Sequence, residues 1–357
     1  MTSDGLNFLI VRMSSLGDVL LTTPLVRCIK TKYPNSYICF VVKKQFADVI
    51  RHNPRINKIL EYDNNCDDIV ESIKKEKKEY IIVDLQNNLT SKNINRKLNF
   101  ETLKFRKNIW KKIIVVWLKK NLFNSKTIPE RYIDTLAPLG ISNDDGGLEL
   151  WLPEQKQEYL SKKENVFQLA DYLKSVPVSK NIVKRPLKIA VVPSAKHNTK
   201  KWLTEYFSEL MMLLNKKYFC EFTLLGGEDD IQIGVQICDS ISKDEDLRID
   251  NTIGSTSIFD VVRIVDSSDV LICNDTGIMH IGASRLKPVL AIFGSSVREF
   301  GFVPYRTKFE ICEIELRCRP CSHIGKSKCG RGHFYCMKKL TPDFVLSKFE
   351  KLIFGVC

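Results

Sequence analysis

The residues best suited to chemistry lie in one short stretch, Cys273-Asn274-Asp275-Thr276-Gly277-Ile278-Met279-His280. An apolar run over 269–273 predicts a buried strand, and the apolar spacing after Gly277 predicts a short helix. A strand that enters a helix through a glycine-containing turn directs backbone N–H groups and the positive end of the helix dipole at one point, which makes an anion site. Thr276 adds a hydroxyl group and His280 an imidazole about one turn later. The alternative is an ordinary glycine-capped helix start with a structural histidine.

Three further polar turns follow predicted strands, at 14–18, 199–202 and 226–230. Ligands of parallel sheets bind beyond the carboxyl ends of the strands, where such turns lie. The second and third turns would add a lysine and a carboxylate to the helix start, a set that suits the phosphates and ribose of a nucleotide. Asp18, in the first turn, could be a general base opposite a held diphosphate. It could equally cap the helix that follows it.

Strands and helices alternate along the chain, which predicts parallel, doubly wound sheets. One helix is expected over 19–32, with Pro24 early enough in it to be tolerated. The alternation pauses around four prolines between 138 and 186 and then restarts, so the chain has two halves. The predicted strands cover 7–11, 37–42, 58–62, 80–84, 187–192, 221–225, 269–273 and 288–293.

Length and charge restrict the class of protein. At 357 residues the chain can form two domains. It has no apolar run long enough to span a bilayer and no secretory leader pattern, so a cytoplasmic protein is expected. The net charge of +13 favours an anionic partner: nucleic acid, a membrane surface or phosphorylated small molecules.

Much of that charge lies in the segment 92–120, where Glu101 is the only carboxylate. Apolar side chains, including Trp110 and Trp117, alternate with the lysines and arginines. The pattern fits a basic amphipathic helix that meets an anionic surface. It fits equally well a solvated helix whose apolar face packs on the sheet.

Several enzyme classes lack their sequence signatures here. No P-loop motif occurs, and no G-x-G-x-x-G opens the chain, which disfavours P-loop kinases and dinucleotide-binding enzymes. No G-x-S-x-G elbow of a serine hydrolase is present. No Asp-x-Asp pair at a strand end suggests a divalent metal.

The ordered set of motifs carries a family resemblance. The stretch 8–24, FLIVRMSSLGDVLLTTP, resembles the N-terminal signature of the ADP-heptose:lipopolysaccharide heptosyltransferases, glycosyltransferase family 9. Pro193-Ser194-Ala195, Lys200-Lys201-Trp202, Leu224-Leu225-Gly226-Gly227 and the stretch 274–280 recur in that family's order and spacing. The resemblance runs over roughly residues 7–345.

The resemblance implies a GT-B fold, in which two Rossmann-like domains face a central cleft, and an inverting, metal-independent transfer. The position of Asp18 is that of the proposed base, in a loop with Ser14, Ser15 and Gly17. The remaining roles that it implies concern the donor: Lys200 on phosphate, Asp275, Thr276, Gly277 and His280 on the diphosphate, and Asp230, or alternatively Glu228, on ribose.

The implied organisation is an acceptor-binding domain, a linker, a nucleotide-sugar-binding domain and a last helix that returns to the first domain. These segments are expected over 1–175, 176–186, 187–340 and 341–357. The implied partners are an ADP-sugar donor and a lipopolysaccharide or other glycan acceptor, with peripheral contact to the cytoplasmic face of the inner membrane and no nucleic acid. The alternatives are a GT-B transferase or epimerase for another nucleotide sugar, and a basic membrane-surface protein with a degenerate site.

Four cysteines, Cys318, Cys321, Cys329 and Cys336, fall within twenty residues. Thiols at these spacings could form a tetrahedral structural metal site. The alternative is a compact loop of free thiols, since disulfides are disfavoured in a reducing cytoplasm. No metal or other cofactor is expected for the reaction itself.

Overall fold

The computed structural model describes residues 5–119, 126–154, 185–242 and 246–355. Its contacts divide the chain into two compact units, each of which has its own parallel sheet. The first unit comprises Met1–Ile109 and Asn124–Glu154, and the second comprises Trp110–Phe123 and Gln155–Cys357.

The sheet of the first unit has five strands in the order β3-β2-β1-β4-β5, and all its pairings are parallel. The central strand β1 is buried along nearly its whole length because helices cover both faces of such a sheet. The strands are β1 (Asn7–Val11), β2 (Tyr37–Lys43), β3 (Lys58–Tyr62), β4 (Ile81–Asp84) and β5 (Thr102–Lys104). The helices are α1 (Leu16–Leu20), α2 (Thr23–Lys32), α3 (Cys66–Lys75), α4 (Leu89–Leu98) and α6 (Ile128–Ile133). The helix α5 (Ile109–Leu118) lies between α4 and α6 along the chain and belongs to the second unit from Trp110 onward.

The sheet of the second unit has six strands in the order β11-β10-β9-β6-β7-β8, again all parallel. The order reverses between β6 and β9, which is where doubly wound sheets bind ligands. The strands are β6 (Leu187–Val192), β7 (Cys220–Leu224), β8 (Arg248–Asn251), β9 (Val270–Asn274), β10 (Val289–Ile292) and β11 (Phe309–Cys312). The helices are α7 (Thr204–Lys217), α8 (Ile231–Ile241), α9 (Ile258–Ser267), α10 (Gly277–Ser284), α11 (Tyr335–Lys338) and α12 (Pro342–Phe354).

The prediction of a single helix over 19–32 is wrong, because the chain forms α1 and α2 with a break between them. Pro24 lies in the first turn of α2, where its missing N–H group costs no helical hydrogen bond. The hydroxyl groups of Thr22 and Thr23 donate to the carbonyls of Val19 and Leu20, at 2.7 and 2.9 Å, and complete the end of α1.

The basic segment 92–120 is not one helix either. It contains the end of α4, the edge strand β5 and α5, so the two alternatives offered for a continuous helix apply to α5 alone. Among the described residues, no helix is both long enough and apolar enough to cross a bilayer.

The helix predicted at the C-terminus is present as α12, which packs on α7, β10 and β11 of the second unit. The predicted domain boundaries, and the return of this helix to the first domain, stay predictions. The linker expected over 176–186 lies almost entirely outside the described residues.

An ion-pair network centred on the buried Glu149 connects α2 to the segment 144–149 of the first unit. Arg27 donates to Asp144 at 2.6 and 2.8 Å and to Glu149 at 2.8 Å. Glu149, 1% exposed, also accepts from Arg55 at 2.7 Å. Charges removed from water in this way stay favourable only while each keeps its partner.

We therefore expect Arg27→Met to lower the free energy of unfolding of the first unit by about 3–5 kcal/mol, because it removes one of the two guanidinium partners of the buried Glu149 carboxylate and the partner of Asp144. Urea denaturation followed by circular dichroism would measure the change. Arg51→Ala is the matched control, since the Arg51 side chain is 40% exposed beside Asp48 and Glu61. Surface pairs contribute less than about 1 kcal/mol. Equal effects of the two variants would contradict the assignment of Arg27 to a buried network.

Candidate functional site

In the first unit, the first turn of α1, which follows β1, presents the carboxylate of Asp18. One oxygen, Oδ1, lies 2.7 Å from a guanidinium nitrogen of Arg12, and the other accepts from the Ser15 hydroxyl at 2.9 Å. Oδ2 also accepts from the Ser15 N–H at 3.3 Å, so Asp18 does cap the start of α1. The side chain remains 20% exposed. Capping therefore leaves the carboxylate accessible for a second role.

Arg12 holds its position through buried contacts. Its guanidinium donates to the Leu85 carbonyl at 2.7 Å and lies 5.7 Å from the centre of the Tyr132 ring. The Tyr132 hydroxyl, itself buried, reaches Asp18 Oδ1 at 3.4 Å. Arg12 thus supplies a fixed positive charge beside the carboxylate.

The protonation of Asp18 follows from these neighbours. Burial by itself raises the pKa of Asp18, but the Arg12 charge and the hydrogen bonds from Ser15 outweigh it, so the pKa is lowered overall. Burial raises the pKa of Tyr132, and the charge of Asp18 raises it further. The site at neutral pH is an ionised carboxylate between a cation and a neutral phenol.

Gln86, which follows the end of β4, holds the start of the loop between β1 and α1. The Gln86 side-chain oxygen accepts from the Met13 and Ser14 N–H groups at 3.0 and 3.4 Å. Ser15 is exposed, whereas Gly17 is buried inside α1. Gln86, Arg12 and Tyr132 were not predicted as site residues. Arg12 has a signal in its position directly after β1, but nothing in the sequence connects Tyr132 to this turn.

In the second unit, the ends of β6 and β9 and the start of α7 are joined by one buried amide. Asn274 Nδ2 donates to the Pro193 carbonyl at 2.9 Å and to the Ser194 carbonyl at 3.4 Å. Asn274 Oδ1 accepts from the Trp202 N–H at 3.0 Å. Because every amide atom has a partner, the three turns keep one relative arrangement.

Lys200 and Asp275 meet at this rim. Lys200 Nζ lies 2.7 Å from Asp275 Oδ2, which also accepts from the Ser296 hydroxyl. The side chains of Lys200 and Asp275 are 15% and 9% exposed. Ser296 belongs to the turn after β10, next to β9 in the sheet, and sequence analysis did not assign it a role.

The helix α10 begins at this place, with Thr276 as its N-cap residue and Gly277 as its first residue. The first N–H groups of a helix have no partner within it, and they carry the positive end of the dipole. Lys200 and the start of α10 are therefore two sources of positive charge at one rim. His280 lies further along α10 and is 4% exposed.

Asp230 follows β7, the strand on the other side of β6. It lies 3.2 Å from Lys201 Nζ and accepts from the Gly227 N–H at 3.3 Å. Glu228, the alternative ribose ligand, is exposed in the same short 3-10 turn. The packing thus holds the Asp230 carboxylate in place through two contacts.

The four cysteines Cys318, Cys321, Cys329 and Cys336 all lie in the described part of the second unit and are free thiols. Within the described ranges, no group of three or more histidine, cysteine, aspartate or glutamate side chains is arranged to hold a metal ion. A structural metal at these thiols stays a prediction, which metal analysis of the purified protein can test.

Replacement of Asn274 tests whether its amide holds the rim. In Asn274→Asp a carboxylate oxygen would replace the donor that faces the two carbonyls. The free energy of unfolding of the second unit should fall by about 2–4 kcal/mol, the cost of a buried polar group set against its partners. Thermal unfolding would measure it. Asn251→Asp is the control, because Asn251 is exposed and keeps the oxygen that accepts from Ile253. A stable Asn274→Asp protein would show that the amide does not hold the rim.

The sequence profile of glycosyltransferase family 9 (heptosyltransferase) matches residues 76–330, more than half of the chain. Lipooligosaccharide heptosyltransferase 2 of Campylobacter jejuni is 25% identical over 158 residues. That alignment covers 43% of this chain and 48% of the relative, so the chain spans about half the length of the first curated relatives it matches. Lipooligosaccharide heptosyltransferase 2 of Haemophilus influenzae aligns over 98% of this chain and 99% of its own length, at 22% identity.

Solved structures share the fold. A glycosyltransferase family 9 protein from Veillonella parvula superposes with a TM-score of 0.74 at 18% identity, over 100% of this chain and 99% of its own. The Escherichia coli heptosyltransferase WaaC, solved with ADP, has a TM-score of 0.63 at 16% identity, over 97% and 100% of the two chains. The expected GT-B class, with two parallel-sheet α/β domains, is confirmed. The chain belongs to glycosyltransferase family 9, the heptosyltransferase family.

Proposed function

We propose that the protein is an inverting glycosyltransferase that moves a heptose from ADP-heptose to a hydroxyl group of a lipopolysaccharide core acceptor. The observation that carries this proposal is the rim of the second unit, where Lys200, Asp275 and Ser296 cluster beside the start of α10. Family membership supports the reaction class, and the names of the relatives support heptose as the sugar.

The donor would bind with its diphosphate at this rim. Lys200 and the N–H groups of α10 would meet the phosphate charge, and the Thr276 hydroxyl would add a donor. The phosphate would compete with Asp275 for the ammonium group of Lys200. The Ser296 hydroxyl would keep Asp275 oriented. Adenosine diphosphate is favoured as the nucleotide of the donor because the Escherichia coli heptosyltransferase WaaC was solved with ADP.

Asp230 would accept hydrogen bonds from the ribose hydroxyl groups. It suits this role better than Glu228, because Lys201 and the Gly227 N–H already fix its direction. Next to it, Gly254 has a φ of +81° and lies against Ile231, so a side chain there would both strain the backbone and clash. The backbone from Gly254 to Ser257 would flank the adenine.

Asp18 would act as the general base. As the acceptor oxygen attacks the anomeric carbon, its proton passes to Asp18 and the bond to the diphosphate breaks, with the electron pair leaving on ADP. The attack from the face opposite the leaving group inverts the anomeric centre. Arg12 keeps Asp18 ionised and ready to accept the proton.

In this proposal no metal cofactor takes part, because Lys200 and the dipole of α10 supply the positive charge that the departing ADP requires. The acceptor is a membrane-anchored glycolipid, so the protein would act at the cytoplasmic face of the inner membrane as a peripheral protein. Nucleic acid has no part in it.

The test of the proposal is turnover of ADP-heptose with a heptose-deficient lipopolysaccharide core. Asp18→Asn should reduce transfer by about 100-fold or more, the usual contribution of a general base. It should leave ADP binding unchanged in calorimetry, because the donor residues belong to the second unit. Thermal unfolding of the variant would exclude loss of fold.

Calorimetry of the unaltered protein also separates the alternatives. Binding of ADP but not UDP agrees with the proposal, whereas binding of UDP would indicate another nucleotide sugar. Binding of neither would indicate a degenerate site. Normal transfer by Asp18→Asn would remove Asp18 from the mechanism.

Replacement of Arg12 tests its effect on the ionisation of Asp18. Arg12→Gln removes the positive charge beside Asp18, so the pKa of that carboxyl should rise. The base would then lose its ionised form at a higher pH, and the acidic limb of the kcat/KM profile should move to higher pH.

Arg12→Lys is the control, because it retains a positive charge and should move the limb less. A merely structural role for Arg12 would lower activity or stability without moving the limb. An unchanged limb in Arg12→Gln would therefore separate Arg12 from the ionisation of the base.

A further inference from the structure

The helix α5 exposes more large apolar side chains than any other described helix. Its ten residues, IWKKIIVVWL, contain no carboxylate. Five of its large apolar side chains are exposed, with Trp110 at 79%, Trp117 at 80% and Leu118 at 63%. Large aromatic groups at this level of exposure mark a binding surface on a folded protein.

One side of α5 is anchored to the second unit. Val115 is buried and lines a cavity together with Leu316 and Pro320. Just beyond the helix, Lys119 Nζ donates to the Pro320 carbonyl at 2.5 Å. Lys112 lies 5.4 Å from the centre of the Phe302 ring. The helix is therefore held in place on one side while its opposite side faces solvent.

The solvent side is a continuous apolar strip. Trp110, Ile114 and Trp117 are spaced by four and three residues, which places them on one face of a helix. The two indole rings lie at its two ends, with Ile114, 37% exposed, between them. Rings that are apolar with one polar N–H group favour the boundary between lipid headgroups and acyl chains.

Charge distinguishes between the surfaces that could cover this strip. Lys111 is exposed beside Trp110, and Lys112 and Lys119 flank the same helix. On the neighbouring segment, Glu313 is already paired with Arg298 and Arg319. A second copy of the chain would set its own Lys111 and the rest of an equally basic helix against this one, whereas an anionic surface complements that charge.

The length of the helix sets how it would meet a bilayer. Ten residues rise about 15 Å, half of the roughly 30 Å needed to cross the hydrocarbon core. Such a helix lies in the plane of the interface, with its aromatic side turned into the lipid.

We propose that α5 is a membrane-docking surface, which binds anionic phospholipid through Trp110, Ile114, Trp117 and Leu118, with Lys111 next to the headgroups. The inference extends the proposed function, since an acceptor anchored in the membrane is reached from its surface. It does not require transfer to occur and is measured separately.

Tryptophan fluorescence provides a direct test. The chain has four tryptophans, of which Trp151 and Trp202 are 7% and 2% exposed. Vesicles of phosphatidylglycerol and brominated phosphatidylcholine should therefore quench only Trp110 and Trp117. The full-length protein should sediment with these vesicles, less with pure phosphatidylcholine and less at high salt.

The variants assign the surface. Trp110→Ala/Trp117→Ala should weaken vesicle binding at least about tenfold and abolish quenching. Leu89→Ala, which removes a side chain that is 86% exposed on α4, should leave binding unchanged. Lys111→Glu should weaken binding roughly fivefold or more, whereas Lys216→Glu on α7, another exposed lysine, should have little effect.

Several outcomes would overturn the inference: no sedimentation with anionic vesicles, equal binding by the double tryptophan variant, or a dimer that this variant dissociates in the absence of lipid. Transfer to a soluble, delipidated acceptor fragment should be normal in the double variant. If the unaltered protein binds vesicles but transfers no sugar, the proposed function fails and the docking surface stands.

Discussion

The carboxamide of Asn274 links the end of β6, the approach to α7 and the end of β9 through hydrogen bonds to Pro193, Ser194 and Trp202. These contacts bring Lys200, which precedes Trp202 by two residues, to Asp275, which follows Asn274. The start of α10 lies directly after them. A buried neutral amide thus sets the position of the positive charge at the rim of the second unit.

The first unit uses a comparable arrangement. Arg12, held by Leu85 and Tyr132, sets the protonation of Asp18, and Gln86 holds the turn between them. In both units the residue expected to do chemistry lies shortly after a strand end, in the turn or in the first residues of the helix that follows, where one side chain can be partly exposed. The residues that orient it come from buried positions in neighbouring elements, and this separation lets rigid packing coexist with access to solvent.

The central strands could be predicted because they are continuous apolar runs, as strands covered on both faces must be. The edge strands β5, β8 and β11 were not predicted. In Arg248–Asn251 the sequence is polar, and an edge strand is defined by its pairing with a neighbour rather than by its own burial. The division between α1 and α2 was also missed. A proline early in a helical pattern fits the start of a new helix as well as the continuation of an old one.

The sequence alone determined the fold class, the family and the turns that carry Asp18, Lys200, Asp230 and Asp275, because these depend on local hydrophobic pattern and on motifs in a fixed order. Only the tertiary structure decided the partners: Arg12 and Tyr132 for Asp18, Ser296 and Lys200 for Asp275, and Lys201 for Asp230. It also placed α5 on the second unit with its tryptophans exposed. Such contacts join residues that are distant along the chain or belong to different strand ends, and hydrophobic periodicity carries no information about which of them meet.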